Sequence, residues 1–270
     1  MRLFLVRHGE SVDNVAGIYA GSRDSPLTTH GVLQARRLGS HLAERTEPEP
    51  LLHIFSSDLQ RAAMTAQAVA DAHKPSQVEV VQLADLRERD FRSTEGAKFG
   101  SRALTGGGGN PHPDAETQTE MTVRVERFIR GHLAPVLASV DLTDRQGSVV
   151  VVAHGIILNV LLRSLLTRYA PTEPEPGKPE WLATWSNTGY LEAVVTVTPP
   201  GPGLVATQTP SARSVRSDGP GRISLGVVSV NNTDHLRGLR KTRGGIGSAK
   251  FDNKQKTMDS FFKPAPKSGG

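Results

Sequence analysis

The chain contains no cysteine, which excludes disulfides, thiolate metal sites and a cysteine nucleophile. It has no apolar run near the roughly 20 residues that span a bilayer. Its first apolar run, residues 3–6, is too short for a secretory signal and no cleavage site follows it. These absences lead to the expectation of an intracellular protein, cytoplasmic or nuclear or both, away from membranes and needing no metal. The four glycines at 106–109 are followed by no Lys-Ser/Thr pair, so they do not read as a P-loop. Residues 105–110 are instead expected to be a flap over a site or a plain linker. Large apolar residues become scarce from Asn231 onward, and the chain there is expected to be disordered.

Charge is unevenly placed. From Val205 onward there are 12 Lys and Arg against 4 Asp and Glu, and before it 20 against 23. The net charge of +5 therefore belongs to the C-terminal tail, not to the body of the protein.

Residues 3–6 read as a short strand that stops at Arg7-His8-Gly9. Glycine there allows a sharp turn and leaves His8 at the strand end, where open α/β sheets bind their ligands. Arg7 is a planar cation suited to phosphate oxygens, and an unprotonated imidazole is a competent nucleophile. Alone, the tripeptide also fits an ordinary surface turn. Residues 149–153 form a nearly pure apolar strand ending in His154-Gly155, which repeats the arrangement. Between them lie helical patterns starting at Thr29, at Leu59 and, with the form of a capping box, at Thr117–Glu120. Arg61 falls in the first turn of the second of these helices, where a guanidinium and a helix N-terminus serve the same anion. Glu88 sits between Arg87 and Arg89, an arrangement that fits either a candidate general acid or a solvated charge cluster. Residues 78–82, 190–197 and 223–230 read as further strands. Residues 13–26 and 171–179 read as loops.

Arg7-His8-Gly9-Glu10-Ser11 with Asn14 resembles the signature of the histidine phosphatase, or phosphoglycerate mutase-like, superfamily. Gly31-Val32-Leu33-Gln34-Ala35, Ser56-Ser57-Asp58-Leu59-Gln60-Arg61-Ala62, Leu86-Arg87-Glu88-Arg89 and Val152-Ala153-His154-Gly155 resemble that family's other blocks, in its order. The resemblance covers residues 1–198. It implies an α/β fold, a three-layer α/β/α sandwich on a mostly parallel sheet, with no cofactor. It also implies a phosphohistidine formed on His8, with Arg7, Arg61 and His154 on the phosphoryl oxygens and Glu88 as acid and then base. Asn14 and the Gly155 N–H would add hydrogen bonds to the transferring group. The family's mutases carry a long insert after the Glu88 block. Residues 99–113 are short and glycine-rich here, which favours a phosphatase acting on a phosphorylated small molecule or phosphoprotein. A phosphoglycerate mutase-type phosphotransferase and a phosphate-recognising binding protein are the alternatives. Arg92 stands where the family usually has glycine, a departure that leaves the substrate open.

The tail divides into a Pro/Gly/Ser-rich linker at 199–221, a returning strand within 222–236 and a disordered basic segment at 237–270. Within the last, Gln255, Met258, Phe261 and Phe262 have the spacing of the motif that docks onto the DNA sliding clamp, proliferating cell nuclear antigen (PCNA). One helical turn through 255–262 would set Met258 and both phenyl rings on one side as an apolar plug. Lys254, Lys256, Lys263 and Lys267 would steer it to an acidic surface. The basic residues of 237–243 offer a weaker signal for direct nucleic-acid contact.

Overall fold

The computed structural model describes residues 1–73, 78–100, 112–139, 147–169, 183–198, 222–240 and 248–251. Six strands, β1 (Arg2–Arg7), β2 (Leu51–Ser57), β3 (Val80–Leu83), β4 (Ser148–Ala153), β5 (Tyr190–Thr198) and β6 (Arg222–Asn232), form one sheet. Their spatial order is β3-β2-β4-β1-β5-β6. The three pairings β3-β2, β2-β4 and β4-β1 are parallel, while β1-β5 and β5-β6 are antiparallel. Strand β4 is buried along its whole length, as its unbroken valine run requires at the centre of a sheet covered on both faces.

Period-two alternation sorts the strand side chains into two cores. Leu3, Leu5, Val149 and Val151 face the layer made by α4 (Gln118–Phe128), α5 (Ala134–Ala138) and α6 (Gly155–Tyr169). Phe4, Val6, Val150 and Val152 face α2 (Thr29–Thr46) and α3 (Gln60–Ala72). The result is the three-layer α/β/α arrangement. Each buried valine of β4 contributes roughly 1.5–3 kcal/mol by leaving water.

The helices start where their caps place them. Thr28 Oγ1 accepts the Gly31 N–H at the head of α2, and Val32, Ala35, Leu38 and Leu42 then recur on its buried face. At Thr117 the capping box with Glu120 is complete in both directions. Helix α4 passes through one widened turn, residues 129–133, before α5, whose Pro135 has no N–H to donate. No helix among the described residues is long and apolar enough to cross a membrane.

The structure departs from expectation in two places. The stretch 13–26, expected as a loop, begins with a short helix α1 (Val12–Ala16), opened by a Ser11–Asn14 capping box and ended at the left-handed Gly17. Its five residues are too few to show a period. Residues 231–240, expected to be disordered, are placed against the body, with Asp234–Leu236 in a 3₁₀ turn. Further on, the Ala249 carbonyl accepts the Thr29 N–H and the Phe251 N–H donates to Leu27 O, at 3.1 and 3.0 Å. Hydrogen bonds rather than apolar burial hold most of this segment, so hydrophobicity gave no sign of it. Residues 105–110, the loop at 171–179, the linker 199–221 and the clamp-type motif 255–262 lie outside the described residues.

Candidate active site

Strands β1 and β4 are parallel neighbours in a register that pairs Arg7 with Ala153. The next residues on each, His8 and His154, therefore leave the sheet side by side. The His8 N–H donates to Ala153 O at 3.0 Å, and the two imidazoles lie with centroids 4.9 Å apart. Both rings are almost wholly buried. Glycine at 31 lets α2 press on the turn after β1, because a Cβ there would fall 2.1 Å from Glu10 O. The turn is bonded in turn to α3, where Thr65 Oγ1 accepts the Gly9 N–H at 3.0 Å.

Hydrogen bonds assign the two rings different protonation patterns. His8 Nδ1 lies 2.7 Å from its acceptor, Gly9 O, so Nδ1 carries the proton and Nε2 keeps a lone pair. On the other ring, Arg61 Nε–H donates to His154 Nδ1 at 3.2 Å. A guanidinium has no acceptor to offer, so His154 Nδ1 is the lone pair and Nε2 the N–H donor. That Nε2 is buried without a partner among the described protein groups. Burial, then the charge of Arg61, then that of Arg7 hold the His8 imidazole well below its usual value. Burial first, and Arg61 second, do the same to His154. Both rings are neutral at pH 7, one with a free lone pair on Nε2 and the other with an Nε2–H donor.

Two cations flank them, Arg61 buried and Arg7 half-buried. Arg61 is 1% exposed; beyond His154 its guanidinium donates to Arg23 O at 2.6 Å and Gly21 O at 2.8 Å. Arg7 donates through Nη1 to Trp185 O at 2.5 Å, and its Nε is buried without a partner among the described protein groups. Desolvation lowers the affinity of both guanidinium groups for protons, while Glu88 opposes it. Cations withdrawn from water and bonded, among the described residues, only to neutral carbonyls and an imidazole make a place for an anion.

Glu88 closes the ring of polar groups from the α6 side. Its Oε1 accepts the N–H groups of Ile157 and Arg89, at 3.1 and 2.9 Å, and its Oε2 that of Ile156 at 3.1 Å. The carboxylate is thus pinned to the N-terminus of α6, beside Gly155. Its backbone is gripped by Arg124, which donates to the carbonyls of Asp85, Arg87 and Glu88 and pairs with Glu116 at 2.6 Å. Asn14 differs in detail from its expected role. Its Oδ1 accepts from Ser11 N–H at 3.2 Å and from Asn187 Nδ2 at 3.0 Å, which leaves its amide N–H groups as the donors toward the site.

Arg7, His8, Asn14, Arg61, Glu88, His154 and Gly155 are thus brought together. Thr65, Arg124, Trp185, Asn187 and Thr188 also belong to this neighbourhood and had no signal in the sequence beyond ordinary polar or aromatic character. Arg92, at φ +46°, donates to Asp114 O and to Glu120 Oε1. It ties a loop to the head of α4. Among the described residues no group of three His, Cys, Asp or Glu is placed to hold a metal ion.

Residues 3–178 match the family model described as "Histidine phosphatase superfamily (branch 1)". The chain is 30% identical over 267 residues to a "Probable phosphatase" of Schizosaccharomyces pombe, covering 95% of this chain and 78% of that one. It is 32% identical over 173 residues to a "Probable phosphoglycerate mutase GpmB" of Yersinia pestis, covering 62% and 75%. Among solved structures, a mycobacterial glucosyl-3-phosphoglycerate phosphatase in complex with VO3 is similar at TM-score 0.58 and 25% identity, over 72% of this chain and 91% of that one. A protein described as mycobacterial hydrolase 1 shares the fold at TM-score 0.62 and 24% identity, over 86% and 98%.

Proposed function

Because the chain belongs to the histidine phosphatase superfamily, we propose that it hydrolyses phosphomonoesters through a phosphohistidine on His8. The observation that carries this reading is the pair of complementary imidazoles, an acceptor on His8 Nε2 beside a donor on His154 Nε2, flanked by the buried Arg61 and the half-buried Arg7. His8 Nε2 attacks phosphorus as the bond to the leaving oxygen breaks, and Glu88 supplies the proton that the departing alkoxide needs. Oε2 of Glu88 accepts a single N–H and so retains a lone pair for that proton. Arg7, Arg61, His154 Nε2–H, the Asn14 amide and the Gly155 N–H offset charge on the phosphoryl oxygens as it spreads. In the second half, Glu88 takes a proton from water, water oxygen bonds to phosphorus, the P–N bond breaks and inorganic phosphate leaves. None of these steps calls on a metal ion.

Turnover of p-nitrophenyl phosphate by wild type and by His8→Ala tests the reading. Loss of essentially all activity in the variant, with an acid-labile phosphoryl label on His8 in quenched wild-type mixtures, is expected. Equal rates would leave a binding protein. His8 is active as the neutral base and its proton affinity is depressed, so kcat/KM is expected to stay level as pH falls from 7 through 6.5.

The similarity to a probable phosphoglycerate mutase supports a second reading, transfer between positions of a phosphoglycerate. Interconversion of phosphoglycerates without release of phosphate would establish it. We further propose that residues 255–262 dock on PCNA, which would place the enzyme in the nucleus for part of its life. The support is the spacing of Gln255, Met258, Phe261 and Phe262 among lysines. Substituting both phenylalanines by alanine should abolish binding to purified clamp, and undiminished binding would end this proposal.

A further inference from the structure

The turn at residues 186–189, leading into β5, holds no reacting group, yet it is bonded to the nucleophile's backbone from two sides. The Thr188 N–H donates to the carbonyls of Arg7 and His8, at 3.1 and 3.2 Å, and Asn187 Nδ2 donates to His8 O at 3.2 Å. This grip requires a costly conformation. Thr188 is fully buried at φ +56°, a left-handed backbone that a β-branched residue adopts only when its surroundings compel it.

What compels it comes from beyond β6. Thr188 Oγ1–H donates to Asn187 O at 2.7 Å, so the oxygen is left as an acceptor for His235 Nε2 at 2.9 Å. His235 Nε2 must therefore carry a proton. The ring sits in the 3₁₀ turn after β6, 8% exposed, with Nδ1 buried and without a partner among the described protein groups. It is the neutral Nε2–H tautomer, in keeping with burial that pushes its proton affinity down. A second brace lies beside it. Asn231 Oδ1 accepts the Ser186 N–H at 2.8 Å, and a Cβ on Gly189 would fall 2.2 Å from the same oxygen. The turn is shaped by residues 42 or more positions further along the chain.

We propose that His235 is a positioning residue for the phosphoryl transfer: through Thr188 it holds the His8 carbonyl, and with it the line of attack of the His8 ring. The inference rests on the reading of His8 as nucleophile. Its reach is set by geometry, since a displacement of about 1 Å in a reacting group costs up to about 100-fold in rate.

The test compares full-length wild type with His235→Ala, His235→Gln and Thr188→Val on p-nitrophenyl phosphate. In His235→Ala, kcat should fall about tenfold or more while KM stays within about twofold. His235→Gln, whose amide can donate to Thr188 Oγ1, should recover most of kcat. The Thr188→Val change should reproduce the loss and add little to it in the double variant. A rise in KM with kcat intact, equal losses in the alanine and glutamine variants, or additive losses would overturn the proposal. Should His235→Ala not fold, Thr188→Val decides alone, and an unchanged kcat there overturns it. An inert wild type would instead sink the phosphatase reading. The ring resonances of His8 then decide the coupling: they shift in His235→Ala and return in His235→Gln if it exists, and stay put in both if it does not.

Discussion

The two ends of the catalytic neighbourhood are built on opposite plans. The strand ends, Arg7-His8-Gly9 and Ala153-His154-Gly155, come from the parallel centre of the sheet, where a one-to-one register delivers two imidazoles to one place. The turn at 186–189 stands on the antiparallel side and is held by single polar contacts from Asn231 at the end of β6 and His235 just past it. The first plan relies on burial of valines and tolerates little geometric freedom. The second relies on one histidine, one asparagine and a backbone outside its comfortable region. The difference teaches that the parallel core determines where both histidines sit, while the antiparallel flank grips the backbone of only one of them, His8.

The comparison breaks most visibly on the core side. Arg61→Ala removes a cation and also the donor that fixes the His154 tautomer, so kcat/KM should fall at least about 100-fold. Arg61→Lys should remain well below wild type, because an ammonium's donors all radiate from one nitrogen and cannot match the three guanidinium atoms that reach His154, Arg23 and Gly21. Next is Arg124→Ala, which removes the cation from the nearly buried Glu116, leaving its carboxylate only the Asp90 N–H among the described groups, and frees the carbonyls of Asp85, Arg87 and Glu88. Denaturant unfolding should show a loss of about 3 kcal/mol, with activity reduced through the displaced Glu88.

Acid sharpens the contrast. His235 is pushed down to about 4, by burial first and then by His41, with Arg37 adding to the effect and Asp234 opposing it. The folded state thus prefers the neutral ring. As pH falls below the ordinary histidine value near 6.5, the unfolded chain takes up the proton first and stability declines until about pH 4. On the order of 3 kcal/mol is at stake for this ring. Thermal unfolding of His235→Gln should show a shallower decline than wild type over that window. The smallest effect is expected at Arg92. Changing it to glycine relieves a left-handed residue, at about 1 kcal/mol, and loses only a solvent-screened ion pair with Glu120 and a bond to Asp114 O. The melting temperature and kcat should both stay near wild type; a large fall in kcat would give Arg92 a part in substrate binding.

What could be read from the amino-acid order follows the same division. His8 and His154 were legible because an apolar strand, a reactive side chain and a glycine stand in direct succession. Arg61 and Glu88 were legible through their blocks, and the capping box at Thr117 through its spacing. Ser186-Asn187-Thr188-Gly189 says "turn" and nothing about what the turn grips, since Thr188's partner is 47 positions away. His235 in a polar stretch and Arg124 on a helix face look like solvated surface residues until the fold surrounds them. Asn14 was recognised by its motif, but its oxygen is already engaged by Ser11 and Asn187, a detail no spacing encodes.

The pairing of Ala249 and Phe251 with Thr29 and Leu27 carries a consequence for anything that grips the last residues. Only four peptide units separate Phe251 from Gln255, a span of at most about 14 Å even when fully stretched. If a protein clasped that motif, the three intervening residues would tether it beside the N-terminus of α2, and its bulk would then govern which way the catalytic mouth faces.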